Sequence, residues 1–210
     1  SASERGRDLI AKLLLFTRTQ ATADVAVIAP AAVLDEVVAM LKPSIPPGVV
    51  LDIRVDDATP LRIHPGELNQ VLVNLILNAR DAIGAQGHIG IRLHRVEVAE
   101  ALLCAASHER FAGPFLALDV TDSGSGIAPA HLPRLFEPFF TTKGVGKGTG
   151  LGLPMVQGIL RRAGAFVTVL SQQGVGTRFR LHFPLPNAPL TSAPAPAQVT
   201  LQAAGDGRLI

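Results

Sequence analysis

In the stretch NLILNARDAI, Asn74 and Asn78 stand four residues apart in otherwise apolar sequence. That spacing puts both side-chain amides on one face of a helix, one turn apart. An amide buried there without a partner costs roughly 1–3 kcal/mol, so either neighbouring groups or a polar ligand must satisfy it. Asp122 opens a second stretch, DSGSGI, at the end of an apolar strand pattern. A carboxylate in that place accepts hydrogen bonds, and an adenine amino group suits it well. Gly124 and Gly126 would let backbone approach a flat ligand closely, although Asp-Ser-Gly is also ordinary chemistry for a strand-ending turn. A third stretch, GVGKGTGLGL, has glycines at 144, 146, 148, 150 and 152 immediately before a helix pattern. Glycine-rich backbone running into a helix N-terminus offers unpaired N–H groups and a positive dipole end to phosphate, and Lys143 and Lys147 add mobile positive charge. No glycine lies six residues before either lysine, so this is not a P-loop. Next to it, LFEPFFTTK crowds Phe136, Phe139 and Phe140 together, as a plug for the core or a latch for a mobile lid. Thr177, in GVGT, adds a hydroxyl to a strand that favours threonine in any case.

Positioning these groups requires a particular set of elements. A helix pattern carrying the asparagines runs from about His64 to Gly84; Pro65 suits its first turn, and Glu67 is placed to reach back to unpaired N–H groups. Histidine at position 64 is a poor N-cap. ADVAVIAP reads as a short strand, AAVLDEVVAMLKP as a helix stopped by Pro43, and VVLDIRV, HIGIRLHRVEV and PFLALDVTD as strands. The segment AEALLCAASHERFAG reads as a loop with a little helix; Cys104 and His108 share one face there, but two ligands do not make a zinc site. GLPMVQGILRRAG is a helix with Gly164 as C-cap, and AFVTVLSQQGVGTRFRLHFPL a closing hairpin. Strands and helices that do not strictly alternate predict one mixed sheet with helices on one face. Leu9, Leu13 and Phe16 mark a helix in residues 1–20, and the prolines from Pro184 to Pro196 mark a flexible linker.

Composition narrows the class. The 210 residues are 48% hydrophobic, enough for a core, and the net charge of +2 comes from scattered basic residues rather than a block. That argues against a nucleic-acid partner. A single cysteine excludes an internal disulfide framework and suits a reducing compartment. No apolar run reaches the ~20 residues of a membrane span, so the expectation is a cytosolic chain that does not itself insert into a membrane.

Taken together and in order, NLILNARDAI, DSGSGI, LFEPFFTTK and GKGTGLGL resemble the N, G1, F and G2 boxes of the sensor histidine kinase ATP-binding domain, a member of the GHKL superfamily with gyrase, Hsp90 and MutL. The resemblance covers roughly residues 21–187. It implies an α+β fold, a two-layer sandwich of the Bergerat type with a mixed sheet of about five strands and three helices on one face. It implies ATP and Mg²⁺ as ligands, with Asn78 coordinating the metal through its side-chain oxygen and Asn74, a second candidate metal ligand on the same face, assisting at the metal–phosphate side. Asp122 would read the adenine amino group with Thr177 supporting it through water. Gly124, Gly126 and Ile127 would border the base and Phe136 the lid. Gly148, Thr149, Gly150, Leu151, Gly152 and Leu153 would line the phosphates, and Lys143 and Lys147 would contact them from the lid, about residues 128–148.

The resemblance also implies a division of labour. Residues 1–20 look like the end of the second helix of the dimerisation and phosphotransfer hairpin, 21–187 like the catalytic domain, and 188–210 like a linker that leads to a receiver domain. The partners implied are that hairpin and a response regulator or attached receiver, with this chain monomeric and its parent a homodimer. Of six histidines only His108 precedes an acidic residue, and it falls inside the ATP-binding region, so the phosphoacceptor is expected elsewhere. Asp81 stands where some relatives carry a basic phosphate contact, which leaves Arg80 as a weak substitute. Hydrolytic GHKL ATPases place a glutamate base where this chain has Asn74, and an amide takes no proton from water. A GHKL serine kinase and a degenerate nucleotide-binding module are the remaining alternatives.

Overall fold

The computed structural model of the chain describes residues 26–143, 148–185 and 191–192. In chain order its elements are β1 (Val27–Ile28), α1 (Pro30–Leu41), β2 (Val49–Val55), β3 (Leu61–Arg62), α2 (Pro65–Ala82), β4 (Gly87–Leu103), β5 (Arg110–Asp122), α3 (Gly152–Arg162), β6 (Phe166–Gln172), β7 (Gly176–Pro184) and β8 (Thr191–Ser192). Five strands lie side by side in the order β2-β4-β5-β7-β6. The β2–β4 pair is parallel and the rest are antiparallel, so the sheet is mixed as expected. β1 and β3 form a separate two-stranded ribbon. β8, inside the segment expected to be linker, pairs with Phe111 and Ala112 of β5. The expected N-terminal helix, Lys147, and the other linker residues lie outside the described residues. Among the described residues no helix is long and apolar enough to cross a membrane.

Strand alternation determines where the core lies. Ile89, Ile91 and Leu93 of β4 stand opposite Asp122, Val120 and Leu118 of β5, which in turn stand opposite Thr177, Phe179 and Leu181 of β7. With a side-chain period of two, these residues all point to one face. That face is covered by the helices, and its apolar members are buried. Asp122 and Thr177 are thus the polar end of otherwise apolar rows.

Helix α2 forms because Leu68, Val71, Leu72, Leu75, Ile76 and Ala79 recur at helical spacing and are all buried. Asn74 and Asn78 flank that stripe and are half-buried. At its start, Pro65 fills the first helical position, and His64 does make a cap: Gly66 N–H donates to its Nδ1 at 3.1 Å. Glu67 does not reach back to its own helix start. Its Oε1 accepts from Nε and Nη2 of Arg162 at 2.9 and 2.7 Å, joining the first turn of α2 to the last turn of α3. The segment read as loop with some helix is instead a hairpin extension: β4 continues to Leu103, with an irregularity between Val98 and Leu102. Cys104 and His108 meet through a turn, His108 N–H donating to the Cys104 carbonyl at 3.0 Å. No metal-holding cluster of His, Cys, Asp and Glu exists among the described residues.

The opposite face of the sheet carries a charged network. Arg180 grips Asp119 with two hydrogen bonds of 2.6 and 2.7 Å, and His94 Nε2 lies 3.3 Å from the same carboxylate. His182, on the same face, is buried against Phe111 and Phe115; its Nε2 meets the Thr168 hydroxyl at 3.1 Å, while its Nδ1 has no partner. Burial, aided by the positive charge of Arg180, lowers its pKa from 6.5 to about 4. The unfolded chain therefore takes up a proton between these values that the folded chain refuses. The stability contributed by neutral His182 is complete above pH 6.5 and falls as pH drops toward 4. At about 1.4 kcal/mol per pH unit the loss is about 3 kcal/mol. Urea unfolding from pH 4 to 7 should show this slope, and His182→Phe should flatten it relative to the parent whatever its offset at pH 7.

Candidate functional site

Asp122 closes β5 with its carboxylate buried beneath the helix layer. Burial pushes its pKa above the usual carboxylate value, opposed by the backbone N–H groups of Gly124 and Thr177. Gly124 N–H donates to Oδ1 at 2.9 Å. No cationic side chain lies within ion-pair distance of it among the described residues.

The turn after Asp122 is anchored at two places. Ser125 N–H donates to the Ala82 carbonyl at 2.9 Å, satisfying the last turn of α2. Ile127 N–H donates to Ser171 Oγ at 2.8 Å, tying the turn to β6. Both glycines of DSGSGI serve these contacts. A Cβ at Gly124 would meet the Ala82 backbone, and one at Gly126, whose φ is +63°, would meet the Gln172 carbonyl. The close approach expected from these glycines is therefore to the protein's own backbone.

The same helix end leads to the asparagines. Asn78 is one turn before Ala82 and Asn74 a further turn back, so with a 1.5 Å rise per residue Asn74 lies about 12 Å from Ala82 along α2 and about 6 Å from Asn78. Asn74 donates Nδ2–H to the Gln70 carbonyl at 2.8 Å, which leaves Oδ1 directed at the start of α3, where a Cβ on Gly152 would come within 2.8 Å of it. Among the described residues no side chain caps the start of α3, which leaves its first N–H groups without a capping partner. Asn78 Oδ1 accepts from Lys143 Nζ at 3.3 Å, and the same ammonium reaches Asp81 Oδ2 at 2.7 Å. Asp81 also accepts from Arg80 at 2.6 and 3.0 Å. Burial acts to raise the Asp81 pKa, but the hydrogen bonds from Lys143 and Arg80 outweigh it and hold the carboxyl below its ordinary value. The chemistry of the place is plain: two oxygens, one amide and one carboxylate, already hold a cationic group between them. A hard divalent cation uses the same donors.

The described part of the segment expected to be a lid is anchored to the core. Leu135 and Phe136 are buried, and Arg134 stacks over Phe140 at 4.5 Å. Phe139 is 74% exposed, in a left-handed conformation with φ of 67°, and its N–H donates to the Gly150 carbonyl at 2.9 Å. Two of the three phenylalanines are the expected plug; the third faces outward. Gly148 lies against Thr141 and Lys143, Leu151 N–H donates to Thr149 Oγ1 at 3.4 Å, and Leu153 packs against the core. Thr177 is buried opposite Asp122, its Oγ1 at 2.9 Å from Ser171 Oγ. The described site residues therefore gather around the end of α2, the turn after β5 and the start of α3. Ser171 and Ser125 escaped the sequence reading; the register of the terminal hairpin, which puts Ser171 across from Thr177, was the signal available for the first.

The chain is similar to known proteins. The model of the histidine kinase-, DNA gyrase B- and HSP90-like ATPase family matches residues 63–187. Sensor kinase CckA of Brucella abortus is 37% identical over 187 residues, covering 87% of this chain and 19% of CckA. Sensor histidine kinase ZraS of Escherichia coli K12 is 38% identical over 138 residues, covering 65% of this chain and 26% of ZraS. The chain thus spans well under a third of these relatives. Among solved structures, the nucleotide-free catalytic domain of histidine kinase ThkA superposes with a TM-score of 0.62 at 23% identity, covering 77% of this chain and 98% of that one. Full-length ShkA in complex with AMPPNP gives 0.63 at 24% identity, covering 90% and 37%; both show the shared fold. With its matched residues making up more than half of its length, the chain belongs to the histidine kinase-, DNA gyrase B- and HSP90-like ATPase family.

Proposed function

We propose that the chain is the catalytic domain of a two-component sensor histidine kinase, binding Mg-ATP and donating the γ-phosphoryl group to a histidine on a dimerisation and phosphotransfer helix. The observation that carries this reading is the alignment along α2: a buried acceptor, Asp122, on the strand whose following turn is anchored to Ala82, and a pair of oxygens that hold a cation, Asp81 in that last turn and Asn78 one turn before Ala82. The spacing suits a nucleotide with its base at Asp122 and its phosphates toward the start of α3. Asp122 accepts the adenine amino group and Thr177 supports it. Asn78, with Asp81 beside it, holds the metal, and Asn74 Oδ1 completes the polar wall. Mg²⁺, when bound, neutralises phosphate charge and fixes the transferring group. With the metal there, Lys143 would turn its ammonium from Asn78 to the phosphates, and the N–H groups at the start of α3 would complete their cradle.

Transfer to a histidine is favoured over hydrolysis by Asn74. Its N–H is committed to Gln70, and an amide has no basic site with which to activate water. Three of the chain's six histidines are occupied otherwise: His64 caps α2, His94 adjoins Asp119, and His182 is buried. A response regulator or attached receiver would take the phosphoryl group onward, and the names of the sensor-kinase relatives support that partner class.

Calorimetric titration tests the adenine assignment. Asp122→Ala should lose a charge-assisted hydrogen bond worth roughly 1.5–3 kcal/mol, about 10- to 150-fold in affinity, and GTP should bind far more weakly than ATP; equal affinities would sink the assignment. Because burial raises the Asp122 pKa, ionising it costs the folded state stability at every pH above its folded value. Asp122→Asn, which keeps an acceptor for Gly124, should therefore melt above the parent at pH 7 while binding ATP less well. Alone with labelled ATP, the chain should form no phosphohistidine. Given the acceptor hairpin of its own kinase as a separate protein, it should label that hairpin slowly, and Asn78→Ala should abolish the labelling without unfolding the domain. Robust acid-labile phosphate on the isolated chain would contradict this division of labour.

A further inference from the structure

Ser171 touches no expected ligand atom, yet its hydroxyl is the junction of three elements of the base pocket. On one side it accepts from Ile127 N–H at 2.8 Å, in the turn that follows Asp122. On another it donates to the Gly176 carbonyl at 3.1 Å. On the third it meets the Thr177 hydroxyl at 2.9 Å, across the β6–β7 pair. A serine hydroxyl has one proton and two lone pairs. Ile127 can only donate, so it takes one lone pair; the Gly176 carbonyl can only accept, so it takes the proton. The remaining lone pair can only accept, and Thr177 must then be the donor. With its single proton turned toward Ser171, Thr177 shows the pocket lone pairs alone. Asp122, directly opposite Thr177 in register, is likewise an acceptor when ionised. The end of the pocket is thereby lined by acceptors on both strands.

We infer that Ser171 is a specificity-determining positioning residue, which fixes the direction of the Thr177 hydroxyl and so restricts the pocket to a purine that carries an amino group at its far edge. The inference rests on nucleotide binding as proposed above. A keto oxygen at that edge meets only acceptors and is rejected. Without the Ser171 hydroxyl, Thr177 is free to rotate and donate, and a keto base gains a partner it lacked.

Calorimetry with Mg-ADP and Mg-IDP, which differ at that edge of the base, tests this. The parent should prefer ADP. Ser171→Ala should reduce the ADP-to-IDP affinity ratio by about three- to ten-fold, the worth of one neutral hydrogen bond. Ser171→Thr, which keeps a hydroxyl, should restore the ratio. In a Thr177→Val background Ser171→Ala should leave the ratio unmoved, because the rotor it governs is gone. If Ser171→Ala weakens ADP and IDP equally, the serine merely braces the hairpin and the inference is overturned while nucleotide binding stands. If the parent binds neither nucleotide, the inference falls together with the proposed function.

Discussion

A carboxylate that is buried without a cation must be held by backbone dipoles, and Asp122 is held in that way by Gly124 and Thr177 N–H groups. Its counterpart three residues earlier shows what the alternative looks like. Asp119, on the same strand but the opposite face, receives a two-bond grip from Arg180 and a contact from His94; burial acts to raise its pKa, but these groups outweigh it and hold it low. One strand thus carries two buried carboxylates with opposite electrostatics. Asp119 is satisfied internally and serves the sheet. Asp122 has backbone donors and no cation among the described residues, and in the proposed reading a ligand supplies a further donor.

Keeping Asp122 in that state constrains its surroundings closely. The turn after it must leave the strand, cross the end of α2 and reach β6 within a few residues, which requires Gly124 against Ala82 and Gly126 against Gln172. In return the turn fixes the base end of the cleft to the helix that bears Asn78 and Asn74. Distance between the two ends is then set by helical rise rather than by any loop, so the geometry is rigid where the chemistry demands it. The cation end is held differently. Beside the Arg80 contact to Asp81, Asn78 and Asp81 share the ammonium of Lys143, a long flexible side chain. That contact neutralises the carboxylate and is the part of the site best suited to rearrange.

Much of this was legible in the sequence because the signals were local. Alternation in VVLDIRV and HIGIRLHRVEV placed the strands, the i, i+3, i+4 stripe of α2 placed the asparagines on one side, and the four boxes pointed to the family. What escaped was set by contacts distant in sequence. Glu67 had a local reading as a reach-back group, yet its partner is Arg162 at the far end of another helix. The hairpin beyond Val98 lacks clean alternation because it bends at an irregularity, and so read as loop. The glycines of DSGSGI were assigned to ligand access, whereas backbone from α2 and β6 fills the space. Ser171 looked like an ordinary strand serine until the hairpin register set it opposite Thr177.

The central claim is that one ligand bridges Asp122 and Asn78, with a metal at the second. Side-chain amide signals of Asn74 and Asn78 in a ¹⁵N-resolved NMR spectrum, recorded with ADP and a chelator and then with ADP and paramagnetic Mn²⁺, test it most directly. The backbone amides of Gly124 and Thr177 should shift with ADP in both conditions, while the Asn78 side-chain amide should broaden beyond detection only when Mn²⁺ is present. An Asn78 signal that stays sharp while nucleotide and Mn²⁺ are both bound would contradict the account.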